Sequence, residues 1–234
     1  MGIFDKDTDL FTEYDVELVF RDKIMGGIPG DPALIEAWLR RHAGEEHAEQ
    51  HQRLVIQTLR EMGADVDDEI EDFDERVQKA VESVAAMKQT NIFKANGHGP
   101  YIESRQVKAM LKEVTNILFA GDRWGKTRKG PKSFLAERVF VEPLQIELGR
   151  NDPDGYDLFV GHVSDASGKR STLTYYAFVL QPTIRFRLKV TDDCIDPKHW
   201  PMIWVHAQEN GLGALRSQGH GTFDITKFDQ VGAN

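Results

Sequence analysis

The 234-residue sequence contains a single cysteine, Cys194. That excludes an internal disulfide and any metal site built on several thiolates, and leaves Cys194 to be read as a small buried or half-buried hydrophobe. No run of about 18 apolar residues occurs, so no membrane-spanning helix and no membrane partner are expected. The opening residues MGIFDKDTDLF are acidic and lack a basic stretch leading into an apolar one, and the expectation is a cytoplasmic protein. Catalytic signatures are equally scarce. No serine stands in a Gly-x-Ser-x-Gly elbow, and Cys194 has no histidine placed by a recognisable pattern. The segment GLGALRSQGHG lacks the Gly-Lys-Ser/Thr ending of a phosphate-binding loop, and it does not follow a first strand as a dinucleotide loop does. There is no internal repeat, and only GDRWGKTRKGPKS approaches low complexity.

What is present is a globular composition, with 40% hydrophobic and 29% charged residues, on a chain long enough for one large domain or a domain with an insertion. The formal net charge of -9 argues against a polyanionic partner until its distribution is considered. Residues 1 to 100 hold 22 acidic and 11 basic side chains, a balance of -11, whereas residues 101 to 234 hold 16 and 18, a balance of +2. Between 101 and 140 nine basic residues face four acidic ones, and from Ala166 to Thr191 five basic residues have no acidic companion. A local basic face on an acidic chain is compatible with phosphate binding, because affinity follows the charge within a Debye length; a solvated face of ordinary lysines is the plainer account of any one cluster.

Alternation at Val16, Leu18 and Phe20 predicts a half-buried strand over 14–25, ending at the loop GGIPGD. From Pro32, helical spacing of Leu34, Trp38, Leu54, Ile56 and Leu59, and then of Val77, Val81, Val84 and Met87, predicts an acidic helical block. After ANGHGP, residues Val107, Met110, Leu111, Val114 and Leu118 form one helical face, with Lys108 and Lys112 together on another. GDRWGKTRKGPKS reads as a basic loop. RVFVEPLQIEL, LFVGHV, LTYYAFVLQPTIRFRLKV and MIWVHAQ read as strands. The order predicts an α+β domain whose antiparallel sheet carries helices on one face. We expect the core over 1–31 and 91–234, with 32–90 as a helical acidic insertion or lobe.

Two constellations invite chemistry. His42, His47 and His51 include a pair one helical turn apart, a metal-ligand spacing, but without the glutamate that follows the first histidine in zinc-protease helices; a solvated helix face accounts for them. In ENGLGALRSQGHGTF, Gly211, Gly213, Gly219 and Gly221 surround Arg216 and Ser217. A glycine-rich turn can aim backbone N–H groups at an anion, with Arg216 forking onto a phosphate and Ser217, Gln218 and His220 adding hydrogen bonds. The same glycines also suit a tight turn between C-terminal strands.

PYIESRQVKAMLKEV and GLGALRSQGHGTFDI together resemble the RAMP superfamily of CRISPR-associated proteins, in particular the backbone subunits that hold guide RNA. The first resembles that family's helix-opening motif, through Val107, Lys108, Ala109, Met110, Leu111 and Lys112, and the second its C-terminal glycine-rich loop. QPTIRFRLKV resembles the strand that precedes this loop. Glu103 and Ser104 stand where the family usually has Pro-Gly, and Arg105 and Gln106 where it has serines. The resemblance implies a ferredoxin-like core of the RNA-recognition type and the residues that would meet RNA. These are Arg105, Lys108, Lys112, Gly211, Gly213, Arg216, Ser217, Gln218, Gly219, His220 and Gly221, to which the basic loop adds Lys126, Arg128 and Lys129 by its charge.

Three functions follow as expectations. The first is an RNA-binding subunit of a CRISPR-type ribonucleoprotein, with single-stranded or guide RNA and other subunits, or copies of itself, as partners. The second is an RNA endonuclease: IMGGIPGDPALI resembles the loop of the family's type III branch that supplies a catalytic aspartate, here Asp31, which also fits a helix N-cap before Pro32. The third is an assembly component of a phage or defence particle that holds no RNA. No cofactor is expected, except Mg²⁺ if RNA is cleaved.

Overall fold

The computed structural model describes residues 10–29, 66–73, 75–77, 79, 90–124, 128–165, 168–191 and 195–232, with single positions between 53 and 60. The chain forms two compact units. The first comprises 1–24, 102–149 and 180–234, and the second 25–101 and 150–179.

The first unit is built on a four-stranded antiparallel sheet. β1 (Phe11–Phe20) pairs with β11 (Thr183–Thr191) on one side and β12 (Phe223–Gln230) on the other, and β7 (Val139–Glu142) completes it beside β11. The order across the sheet is β12-β1-β11-β7. In chain order, β1 is followed by α1 (Ser104–Leu118), α2 (Pro131–Arg138), β7, β11, α3 (His199–Asn210) and β12. With α2 as an addition, this is the β-α-β-β-α-β succession of the ferredoxin-like fold, in which the first and last strands lie side by side at the centre and edge. The α+β antiparallel architecture expected from the sequence is therefore present.

Alternation explains the packing. Tyr14, Val16, Leu18 and Phe20 of β1 are buried, as are Ile184, Phe186, Leu188 and Val190 of β11, and both sets lie on the helix side of the sheet. On the opposite face, Arg185 bonds Glu17 at 2.6 Å and Arg187 reaches Glu13 at 3.0 Å and Asp15 at 3.1 Å. Lys189 meets Glu142 at 2.7 Å, and Lys227 meets Asp15 at 3.6 Å. Hydrogen bonds from Thr226 and Arg185, in that order, hold the Glu17 carboxyl below its ordinary value.

β12 keeps its register with β1 by a bulge. Glu17 opposes Lys227 and Leu18 opposes Ile225, leaving Thr226 extra; its hydroxyl donates to the Glu17 carboxylate at 2.7 Å. The added residue reverses the parity of the strand, so that Phe223 and Phe228 both turn inward. Phe228 stacks on Tyr14 at 4.5 Å and meets Trp200 at 5.4 Å and Trp204 at 5.8 Å.

Five readings of the sequence change. The strand expected over 14–25 ends at Phe20, with β2 (Lys23–Met25) in another sheet, and RVFVEPLQIEL divides into β7 and β8 (Gln145–Glu147) on either side of Pro143. MIWVHAQ, expected as a strand, lies in α3: Trp200, Ile203, Trp204 and Ala207 are its buried residues, a helical spacing that a seven-residue window beginning at Met202 truncates. The long run from Leu173 to Val190 is two strands, β10 (Gly168–Leu180) and β11, separated at Gln181 and Pro182, where Gln181 takes a φ of 45°. The basic loop ends in a helix, because Pro131 occupies the first turn of α2 after an extended Gly130.

In the second unit, β9 (Gly155–Asp165) and β10 (Gly168–Leu180) form a long hairpin. β4 (Thr90–Ile92) runs parallel to β10, and β3 (Ile28–Pro29) is antiparallel to β4. β5 (Lys94–Asn96) and β6 (Gly99–Glu103) form a second hairpin, its turn held by the His98 N–H donating to Asn96 Oδ1. Two short strands remain, β2 (Lys23–Met25), where the chain passes from the first unit to the second, and β8 (Gln145–Glu147), which belongs to the first unit. Most of the acidic block over 32–90 lies outside the described residues. Among the described residues Arg53, Ile56, Gln57, Leu59 and Arg60 are helical, as are Phe73, Glu75, Arg76, Val77 and Lys79, with Leu59 and Val77 buried.

Leu18 is fully buried and sits between Ile184 and Ile225. Leu18→Ala should lower the unfolding free energy by about 2–5 kcal/mol, read from denaturant titration.

Candidate nucleic-acid interface

The site is assembled within the first unit from α1 and the segment between α3 and β12. α1 buries Val107, Met110, Leu111 and Val114. Its start is capped by its own chain: the Glu103 N–H donates to Gln106 Oε1 at 3.2 Å, and the Ser104 N–H donates to the Leu144 carbonyl at 2.9 Å. Glu103 also holds Arg105, Oε2 to Nη2 at 2.6 Å. Glu103 thus places a carboxylate at the start of α1, and Arg105 answers it.

The glycine loop is a knot of backbone. Gly211 ends α3 with a φ of 73°, its N–H donating to the Ala207 carbonyl. The Leu212 N–H donates to the Gly221 carbonyl and the Gly221 N–H to the Lys23 carbonyl, each at 2.9 Å. A Cβ on Gly221 would stand 1.9 Å from the Leu212 carbonyl oxygen, so no side chain fits there. Arg216–Gln218 form a single 3₁₀ turn between Leu215 (φ 55°) and Gly219 (φ 88°), both left-handed. The Gln218 and Gly219 N–H groups donate to the Leu215 and Arg216 carbonyls. Five of the loop's N–H groups, those of Gly211, Leu212, Gln218, Gly219 and Gly221, are therefore committed within the protein. Ser217, Gln218 and Gly219 are exposed, Gly213, Arg216 and His220 half-buried, and Gly211 and Gly221 buried.

α1 and this loop enclose a cleft of about 170 Å³ lined by Gln106, Ala109, Met110, Glu113, Leu212, Gly213 and Arg216. Arg216 Nη1 lies 2.9 Å from Glu113 Oε2 in it. Lys108 and Lys112 are not in the cleft. At about 100° of rotation per residue, Arg105, Lys108 and Lys112 form one stripe of α1, and Gln106, Ala109 and Glu113 form another roughly 100° away. Lys108 Nζ lies 5.0 Å above the Phe140 ring of β7, and burial, then the neighbouring Lys112 charge, lower its ammonium below the ordinary lysine value.

The other expected cations are dispersed. Lys129 pairs with Glu137 at 2.6 Å, and Arg128 is exposed with a φ of 50°. Lys126, Asp31, Cys194 and the three histidines His42, His47 and His51 lie outside the described residues. Among the described residues no cluster of histidine, cysteine and carboxylate side chains is placed to hold a metal ion. Two cleft residues, Gln106 and Glu113, escape a search for basic and glycine-rich signals. Their spacing of seven beside the apolar stripe is the only mark they carry.

No protein-family profile matches the sequence, and no curated protein matches it. Among solved structures, the chain resembles one from the cryo-EM structure of the type III-B Cmr-beta complex bound to cognate target RNA. The two are 14% identical with a TM-score of 0.44, over 94% of this chain. The match covers 61% of the length of that chain. At that distance no residue role transfers from one to the other.

Proposed function

We propose that the chain is an RNA-binding subunit of a CRISPR-type ribonucleoprotein, holding single-stranded RNA through its backbone with α1 and the glycine loop. One observation carries this reading: PYIESRQVKAMLKEV and GLGALRSQGHGTFDI, about a hundred residues apart in sequence, come together around a single cleft. Lys108 and Lys112 on one side of α1 and Arg216 on the other supply cations to successive phosphates of a strand crossing the helix. Among the described residues neither lysine has a carboxylate partner. Phosphate contacts of this kind fix register without reading sequence. Guide RNA and other subunits, or further copies of this chain, are the partners that accompany the reading.

The purified protein should retard labelled single-stranded RNA at low salt whatever its sequence, and the absence of any retardation there would refute the proposal. Lys108→Ala should weaken binding uniformly and reduce the slope of log affinity against log salt by about 0.7, the value for one phosphate contact on a single strand.

The loop's geometry gives a separate test. Gly219 has open space around it, so Gly219→Ala meets only the left-handed penalty of about 1–2 kcal/mol. Gly221→Ala must also displace the Leu212 carbonyl. Its melting temperature and its RNA affinity should both fall further than those of Gly219→Ala.

A further inference from the structure

Among the residues lining the cleft there is one acid, Glu113, and one base, Arg216, and they are paired with each other at 2.9 Å. The two side chains are 44% and 32% exposed. A guanidinium recruited to hold phosphate is thus already occupied by a carboxylate fixed on the facing helix. We infer that Glu113 is a built-in competitor for Arg216: it holds the guanidinium while the cleft is empty, and an incoming phosphate must displace it. The inference rests on the RNA-binding reading above and concerns how that site is regulated.

The physical case has three parts. An ion pair this exposed is weak, because water screens it and two flexible side chains must be held in place. A phosphate diester offers the guanidinium a comparable charge-assisted contact, so exchange is feasible. After exchange, the Glu113 carboxylate stays on α1 beside the bound polyanion and repels it. Glu113 therefore lowers affinity for any polyanion and sets a threshold that an isolated phosphate group does not cross. A longer strand crosses it by engaging Lys108 and Lys112 at the same time. The rest of the cleft, with Gln106, Ala109, Met110, Leu212 and Gly213, is uncharged and leaves this balance to the one pair.

The test is fluorescence anisotropy of a labelled single-stranded RNA with the full chain, across a salt series. Glu113→Gln keeps the length and an amide oxygen for Arg216 while removing the charge. It should bind about fivefold more tightly at low salt, the effect expected of one unit charge about 4 Å away in water. Its salt slope should steepen by about 0.7. Arg216→Ala should cost more affinity in the Glu113→Gln background than in the wild type, where the arginine's charge is already answered. Glu113→Ala should move affinity in the same direction as Glu113→Gln. If the wild type binds and Glu113→Gln binds equally or more weakly, the competitor role is overturned and the RNA-binding reading stands. If neither protein binds, both are overturned. Binding by Glu113→Gln alone overturns the RNA-binding reading for the native chain and leaves only the competition between Glu113 and Arg216 supported.

Discussion

The first unit depends on one backbone crossing. For the last strand to lie beside the first, the chain leaving α3 must turn back and pass itself, with the Leu212 N–H on the Gly221 carbonyl and the Gly221 N–H on the Lys23 carbonyl. That approach leaves no room for a Cβ at Gly221. The backbone freedom of ENGLGALRSQGHGTF is therefore used first to close the sheet. The site is built on that crossing: the 3₁₀ turn at Arg216–Gln218 lies between Leu212 and Gly221, and Arg216 lines the cleft beside α1. An arginine on an unconstrained loop would lose more side-chain and backbone entropy on meeting a ligand.

Charge distribution along the chain proves a poor guide to charge in space. The segment 166–191 carries five basic residues and no acid, yet Arg185, Arg187 and Lys189 are answered by Glu13, Asp15 and Glu17 of β1 and by Glu142 of β7. These partners come from segments that sequence counting placed in other blocks. The same holds for other expected cations, since Arg105, Lys129 and Arg216 each have a carboxylate beside them. Cross-strand and surface pairs of this kind contribute at most about 1 kcal/mol each. Their larger effect is to flatten the field, which leaves Lys108 and Lys112 as the cations of α1 with charge to offer.

The elements legible in the sequence are those whose periodicity extends over several turns or pleats. β1 and α1 are such cases, with Val16, Leu18 and Phe20 and with Val107, Met110, Leu111 and Val114 buried as their spacing requires. α3 was not legible because its aromatic residues favour a strand and its two tryptophans fall on either side of the window boundary. The bulge at Thr226 was not either, since an extra residue reverses the alternation it would be recognised by. At the site, the glycine loop and α1 were each visible as segments. What no spacing rule supplies is rotation between partners: Lys108 lies on one stripe of α1, and Arg216 meets Glu113 on another.

The sheet itself bears on how RNA would be held under the proposed function. RNA-recognition folds commonly read unstacked bases on aromatic side chains of the sheet surface. Here the face of the sheet turned from the helices carries Glu13, Asp15, Glu17, Arg185, Arg187 and Lys189 in mutual ion pairs, so a base laid across it would separate paired charges. Its exposed rings, Phe11 and Phe140, lie at one end and pack edge to face on each other, with Lys108 over the second. That arrangement is poor in free ring faces and offers a cation at the border between the sheet and α1. It favours contact with the phosphate backbone along the helix over stacking on the sheet, and backbone contact is tolerant of sequence.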